Sequence, residues 1–172
     1  FKWFADSVGH PSGCGSTNPA IPPFAGSWAA VDSSCTGGGV RMDVQIITPL
    51  LNLTTDPVDT LTFDHWFAAE ATEVADVDVR SSATGGQWVN VRRFTGTSSP
   101  NAQHVVVDIW AQAGDATNVQ IRWRYYNAQQ RLYWYVDNVV VDFFAPEICN
   151  MATCAASASS PAPIPATITA EG

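Results

Sequence analysis

Short runs in which apolar and polar residues alternate recur along most of this chain, and turn-forming residues separate them. In the run VADVDVRS, at residues 74–81, the apolar residues alternate with Asp76, Asp78 and Arg80. A period of two is that of a β-strand with one buried face. The same pattern predicts strands at residues 40–47, 60–68, 74–81, 88–94, 104–110, 119–126 and 132–144.

Helical periodicity is missing from the sequence between these runs. Residues 1–31 begin with the aromatic sequence KWF and continue as a segment rich in Gly and Pro. Several strands with turn residues between them, and no amphipathic helix, indicate an all-β fold in which antiparallel sheets form a sandwich.

A hairpin is predicted where the sequence SATGG separates two of these strands. Its expected register places Asp76 opposite Arg92, Asp78 opposite Asn90 and Arg80 opposite Trp88. The two acids are therefore expected to be salt-bridge partners on a solvated face rather than metal ligands.

The composition fits one folded domain followed by a tail. Of the 172 residues, 46% are hydrophobic, which is enough for a core. The sequence after Cys154 is rich in Ala, Ser and Pro and cannot build a core of its own. We therefore expect a domain at residues 1–154 and a linker at residues 155–172, as in a module of a longer secreted protein.

The charge of the chain disfavours nucleic acid as a partner. Sixteen acidic residues against eight Lys and Arg give a formal net charge of −8, whereas phosphate binding needs a basic stripe. Surplus carboxylates suit a divalent cation such as calcium, although they equally suit an acidic, soluble surface. No apolar run approaches the roughly 18 residues of a membrane span.

The four cysteines do not have the paired spacing of a zinc site. They are interpreted as two disulfides, for which three connectivities exist. We favour Cys14 with Cys35 and Cys149 with Cys154, because each bond closes a Gly- or Ser-rich end of the domain. Disulfides imply an oxidising compartment, so the protein is expected to be secreted.

Familiar catalytic motifs are missing from the sequence. It contains no GxSxG, HExxH, P-loop or GxGxxG sequence, and its histidines, His10, His65 and His104, stand far apart. A catalytic triad or an acid pair that converges only in space stays open. The sequence nevertheless favours a protein that is not an enzyme.

The aromatic strands near the C-terminus supply the candidate ligand-binding residues. Alternation assigns Trp123 and Tyr125 to the core and places Tyr126 on the other face with Arg122 and Arg124. Rings beside Arg, Asn and Gln on an exposed sheet face are suited to sugars. The candidates are therefore Trp110, Arg122, Arg124 and Tyr126; the alternative is that such rings serve core or inter-strand packing.

Calcium is the expected ligand of the acidic residues near the chain's first and last strands. Asp137 lies in the final strand and Asp6 near the first, and terminal strands of a sandwich are often neighbours. Carboxylates and backbone carbonyls together could complete an oxygen shell. Asp32 is a third candidate. The alternative is that Asp137 caps a turn or accepts backbone hydrogen bonds.

The succession of several segments resembles the MAM-like or cleaved-adhesin-type jelly-roll modules of secreted bacterial proteins. These segments are DVQIITPLLNLT, LTFDHWF, VDVRSSATGGQWVNVRRFTG, VVVDIWAQAGDATNVQIRWRYY and YWYVDNVVV, spread across roughly residues 24–144. The resemblance implies an antiparallel jelly roll, a non-catalytic role beside secreted peptidases, glycosidases or adhesins, and often a structural calcium ion. The acid of the closing D-N-V sequence corresponds to Asp137.

Taken together, the sequence predicts an accessory module that binds carbohydrate or another extracellular polymer and holds a structural calcium ion. The alternative is a structural or protein-interaction domain that packs against a neighbouring domain or subunit of a secreted peptidase or adhesin. In that case the exposed rings would be interface anchors.

Overall fold

A computed structural model of the chain describes residues 3–6, 23–36, 40–54, 59–69, 72–129 and 132–143. Within these ranges strands dominate. The elements are β1 (Phe4–Asp6), β2 (Trp28–Asp32), the 3-10 helix η1 (Ser33–Thr36), β3 (Met42–Ile47), β4 (Asp59–Phe67), β5 (Val74–Arg80), β6 (Val89–Thr95), β7 (Gln103–Asp108), the helix α1 (Trp110–Ala113), β8 (Gln120–Ala128) and β9 (Tyr133–Phe143).

The strands form two sheets that pack face to face. The five-stranded sheet has the order β1-β2-β9-β4-β7 and the four-stranded sheet the order β3-β8-β5-β6. All neighbouring strands are antiparallel. Without β1, the two sheets contain four strands each, in the orders β2-β9-β4-β7 and β3-β8-β5-β6, which are those of a jelly roll. The predicted antiparallel jelly-roll sandwich is confirmed.

All seven strands predicted from alternation are present, and their ends differ by at most two residues from the prediction. The prediction missed β1 and β2. In β2, WAAVD, four of the five residues are buried, because both faces of this strand are covered and the sequence therefore lacks alternation. The end of the predicted strand at residues 104–110 was also wrong, since α1 begins at Trp110.

Large aromatic side chains from both sheets fill the core. Phe63 and Phe67 of the five-stranded sheet pack edge to face against Trp123 and Tyr125 of the four-stranded sheet, and Trp134 packs edge to face against Phe67. Trp123 and Tyr125 are 1% and 0% exposed, so their predicted assignment to the core is confirmed.

A smaller cluster lies on the outer surface of the five-stranded sheet, on the side opposite the core. It consists of Trp28, Ala30 and Tyr135, with Phe24, Trp66 and Tyr133 packed around them. Alternation explains it, because Trp134 and Val136 of β9 belong to the core while Tyr135 between them points outward.

The hairpin of β5 and β6 departs from its predicted register at one point. Asp78 lies opposite Asn90 as expected, but a bulge in β6 places Arg93 rather than Arg92 opposite Asp76. The expected solvated face was also wrong, because Asp76 and Asp78 are each only 4% exposed. Long side chains cover both acids. Both are salt-bridge partners as predicted, but their partners are Arg93 and Arg122.

Several predictions concern residues outside the described part of the chain. Cys14, Cys149, Cys154 and the linker at residues 155–172 are among them, and only the backbone of Cys35 is described, in η1. The disulfide pairing and the domain boundary therefore stay predictions. Among the described residues, no helix has the length and apolar character needed to span a membrane.

Candidate binding face

The outward side chains of β3, β8, β5 and β6 form a surface that we call the polar face. From residue 120 to 126 of β8 the residues alternate: Ile121, Trp123 and Tyr125 are buried in the core, and Arg122 and Arg124 between them point outward. Alternation along this strand therefore presents polar side chains to solvent and anchors them on a packed core.

Two bidentate ion pairs cross the polar face. Arg124 donates from Nε and Nη2 to the carboxylate of Asp43 at 2.8 and 2.6 Å, and Arg93 binds Asp76 in the same way at 2.7 and 2.8 Å. The hydrogen bond from Arg124 lowers the pKa of Asp43, while the bond to Asp43 raises the pKa of Arg124. Two parallel bonds fix the guanidinium plane as well as its position.

Arg122 occupies the centre of the polar face. Its Nε donates to Oδ2 of Asp78 at 2.7 Å and its Nη1 to Oε1 of Gln45 at 3.2 Å. Asp78 also accepts a 2.9 Å hydrogen bond from Asn90. The guanidinium carbon of Arg122 lies 4.5 Å from the centre of the Trp88 ring, which is a cation–π distance.

Arg80 contacts the same indole but has a neutral partner. Its Nε and Nη2 both donate to Oε1 of Gln120, at 3.1 and 2.7 Å. Its guanidinium carbon is likewise 4.5 Å from the Trp88 ring centre. The amide of Gln120 is held in turn, because its Nε2 donates to the carbonyl of Thr48 at 3.1 Å.

Tyr126 connects the ion pairs at one end of the polar face. Its hydroxyl donates to Oδ2 of Asp76 at 3.0 Å and accepts from Nη2 of Arg93 at 3.3 Å. Arg124 lies 4.6 Å above its ring. Burial and then the bond to Asp76 raise the pKa of the Tyr126 hydroxyl, so it stays a neutral donor at physiological pH.

The structure brings three of the four predicted ligand-binding residues together. The polar face contains Arg122, Arg124 and Tyr126. Trp110 instead begins α1, where its backbone N–H donates to the carboxylate of Asp108 at 2.9 Å. Sequence reasoning did not select Trp88 as a ligand-binding residue. The signal was available, since the predicted hairpin already placed Trp88 outward and opposite Arg80.

The predicted metal ligands lie on the outer surface of the other sheet. Asp137 of β9 pairs with Asp64 of β4 beside a bulge, where Asn138 has a positive φ of 50°. Asp64 accepts a 2.7 Å bond from Asn138 and lies 2.7 Å from Nδ1 of His104. Oδ2 of Asp137 is buried and, among the described residues, has no hydrogen-bond partner. Burial raises the pKa of Asp137, and the charge of Asp64 adds to the rise.

Asp6 lies in the same cross-strand row as Asp137, but Asp32 does not. Asp6 pairs with Trp28, and the pairing of Ala29 with Val136 continues that row to Asp137. Asp32 lies four residues after Trp28 along β2, and therefore about 13 Å from this row. Its carboxylate accepts a hydrogen bond from the backbone N–H of Ser34 at 2.6 Å. In the described ranges no three acidic, His or Cys side chains gather as a metal site, and calcium stays a prediction.

Comparison with solved structures finds proteins of similar fold. The K1 and K3 cleaved adhesin domains of Lys-gingipain from Porphyromonas gingivalis W83 align with TM-scores of 0.54 and 0.51, at 20% and 19% identity. Each alignment covers 83% of this chain, and 90% and 91% of the respective domain. The chain matches no protein-family model and no curated protein sequence.

A carbohydrate-binding module specific for non-crystalline cellulose aligns more loosely, with a TM-score of 0.43 and 13% identity over 69% of this chain and 75% of the module. That likeness is too remote to bear on the ligand. The two adhesin-domain alignments show a shared β-sandwich fold, and they do not support the MAM-like part of the resemblance in particular.

Proposed function

We propose that this chain is a non-catalytic accessory module of a larger secreted protein, and that it binds carbohydrate on the polar face. The observation that carries the proposal is the convergence of Arg122, Arg124 and Tyr126 on one sheet surface with Trp88 and Gln45. Guanidinium and amide groups suit sugar hydroxyls, and the surrounding ion pairs hold them in place before a ligand arrives.

The location of the exposed apolar side chains, away from the polar face, supports a polar ligand on this face. Among the described residues, the large exposed hydrophobic side chains are Val40, Leu50, Val106 and Trp110. None of them belongs to β3, β5, β6 or β8. Protein interfaces usually have an apolar centre, so the polar face favours a hydroxyl-rich polymer over a protein.

The test is a glycan array followed by titration calorimetry on the best polysaccharide. Changing Trp88 to Ala removes the ring that holds Arg80 and Arg122. We expect the affinity to fall at least about tenfold, which is the loss expected when one charged hydrogen bond from these guanidinium groups to the sugar is weakened. Trp110→Ala is the matched control, and it should bind as the unchanged protein does. A protein that binds no glycan, or that loses as much with Trp110→Ala, would contradict the proposal.

A second role, as a domain that packs against a neighbour, has support on the other sheet. Val106 points outward from β7, an edge strand, and is 61% exposed. Edge strands and exposed apolar residues are common docking elements. If this role is correct, Val106→Asp should weaken binding of the adjoining domain in a pull-down, while glycan binding should not change.

We also propose a structural calcium ion on the outer surface of the five-stranded sheet. The buried Oδ2 of Asp137, which has no hydrogen-bond partner in the part of the chain that the structure describes, supports it, since an oxygen ligand without another partner suits this cation. Asp6 lies in the same row, and Asp32 would serve only at a separate site. We expect a chelator to lower the melting temperature, and the change to be smaller in Asp137→Asn. An unchanged melting temperature in the unmodified protein would refute the proposal.

A further inference from the structure

The polar face carries one more guanidinium group than carboxylates. Its carboxylates pair one to one with guanidinium groups: Asp43 with Arg124, Asp76 with Arg93 and Asp78 with Arg122. Arg80 remains, and among the described residues it makes no ion pair; its hydrogen bonds go to the neutral amide of Gln120. A chain with a formal net charge of −8 therefore has a locally positive surface here.

Two guanidinium groups on this surface keep unused donors. A guanidinium has five N–H groups. Arg80 uses Nε and Nη2, and Arg122 uses Nε and Nη1. In the part of the chain that the structure describes, Nη1 of Arg80 and Nη2 of Arg122 make no hydrogen bond. Both groups lie 4.5 Å from the ring of Trp88, so their positions are fixed before a ligand binds.

We infer that Arg80, Arg122, Trp88 and Gln120 form an anion site for the carboxylate of an acidic sugar, and that the ligand is a uronate-bearing polysaccharide. The inference rests on the proposed function and names the class of sugar. A planar guanidinium with free N–H groups pairs with carboxylates more strongly than with hydroxyls. The excess positive charge belongs to Arg80, so this residue supplies the preference for an acidic ligand.

The chemistry of the site favours an acidic sugar over an acidic peptide. Amide side chains on the same surface, Gln45, Gln120 and Asn90, suit the hydroxyls that flank a uronate carboxylate. A peptide would also need apolar contacts, and the exposed apolar residues of the described ranges lie elsewhere. An acidic peptide is therefore kept as a competing outcome of the test.

The first experiment is titration calorimetry with anionic and neutral probes: oligogalacturonate, oligoalginate, methyl-esterified oligogalacturonate, cellohexaose and polyaspartate. We expect at least one of the two uronates to bind at least about tenfold more tightly than the methyl ester. That binding should weaken as NaCl is raised, because salt screens charge pairs. Equal affinity for the methyl ester, or polyaspartate binding as tight as the best uronate, would overturn the inference.

The second experiment changes the charge at the site without removing its side chains. Gln120→Glu has nearly the same shape and gives Arg80 an internal carboxylate. We expect uronate affinity to fall about tenfold. Because the new carboxylate cannot donate to the carbonyl of Thr48 as the Gln120 amide does, the melting temperature is measured in parallel to establish that the variant is folded. Arg80→Gln should have the same effect on affinity.

Arg92→Gln is the matched control, because it removes one positive charge as Arg80→Gln does, but away from the proposed site. The guanidinium carbon of Arg92 lies 5.3 Å from the ring centre of Phe94, and Arg92 is paired with Val77 of β5. It should bind uronate nearly as the unchanged protein does. If Arg92→Gln weakens binding as much as Gln120→Glu, the site is not local and the inference fails.

The outcomes distinguish a failure of the carbohydrate-binding role from a failure of the preference for acidic sugars. Binding of cellohexaose that depends on Trp88, without preference for a uronate, would leave the carbohydrate role standing and reject the acidic class. Binding of none of these sugars, together with a glycan array on which the protein binds nothing, would reject both.

Discussion

His65 is the titratable residue whose surroundings matter most for stability. It is 0% exposed, and its ring centre lies 4.1 Å from that of Phe94. Burial, and then the charge of Arg92, lower the pKa of His65 to about 4 from 6.5, against smaller opposing contributions from Gln103 and Asp64. The core therefore holds a neutral imidazole.

We predict that the free energy of unfolding falls as the pH drops from 6.5 to 4. The folded-state pKa lies below the unfolded one, so the stabilisation is complete above pH 6.5 and is lost as the imidazole takes up a proton. The difference in the pKa of His65 between the unfolded and folded states corresponds to about 3 kcal/mol of unfolding free energy. Urea unfolding of the unchanged protein and of His65→Phe at several pH values measures it. Parallel pH profiles of the two proteins would contradict the prediction.

Asp76 and Asp43 form similar bidentate pairs that differ in burial. The side chain of Asp76 is 6% exposed and that of Asp43 is 55% exposed. Asp76 also accepts the hydroxyl of Tyr126. Exposed ion pairs contribute little because water competes for both partners, whereas a buried carboxylate leaves its partners unsatisfied when it is removed.

We predict that Asp76→Ala costs about 2 kcal/mol of unfolding free energy and that Asp43→Ala costs at most about 1 kcal/mol. Urea denaturation at neutral pH compares the two variants. Equal costs would show that burial of Asp76 is not what distinguishes these pairs.

At the scale of the elements, alternation predicted strands well where one face is buried and the other is polar. The strands β5, β6 and β8 followed this rule, and so did the assignment of Trp123 to the core. The rule fails for β2, since both of its faces are covered, and for the register of Asp76, because a bulge cannot be read from a period of two.

The candidate site was predicted in part for the same physical reason. Residues on one strand share a face by geometry, so Arg122, Arg124 and Tyr126 were predicted together. Residues from different strands meet only through the sheet order, and the role of Trp88 between Arg80 and Arg122 depends on β6, β5 and β8 being neighbours. The sequence alone does not give that order.

At the scale of the whole molecule, the two outer surfaces of the sandwich differ in chemistry. The four-stranded sheet presents paired guanidinium groups, amides and rings, while the five-stranded sheet presents an aromatic cluster and acidic residues such as Asp64 and Asp137. The separation assigns the two proposed roles to opposite sides, carbohydrate binding to the first and calcium to the second.

The predicted disulfides are the remaining expectation at this scale. Mass spectrometry of peptides from the nonreduced protein should find Cys14 linked to Cys35 and Cys149 linked to Cys154. Reduction should then lower the melting temperature, because cross-links restrict the unfolded chain. A link between Cys14 and Cys149 would reject this pairing.

The central claim, that the polar face binds carbohydrate, is tested most directly by NMR of the side-chain N–H groups during titration with the best polysaccharide. The account predicts that the signals of Trp88 Nε1 and of the Nε groups of Arg80, Arg122 and Arg124 shift and saturate together, while that of Trp110 stays in place. Shifts that instead cluster at Trp110 and β7, or no shifts at saturating ligand, would contradict the claim.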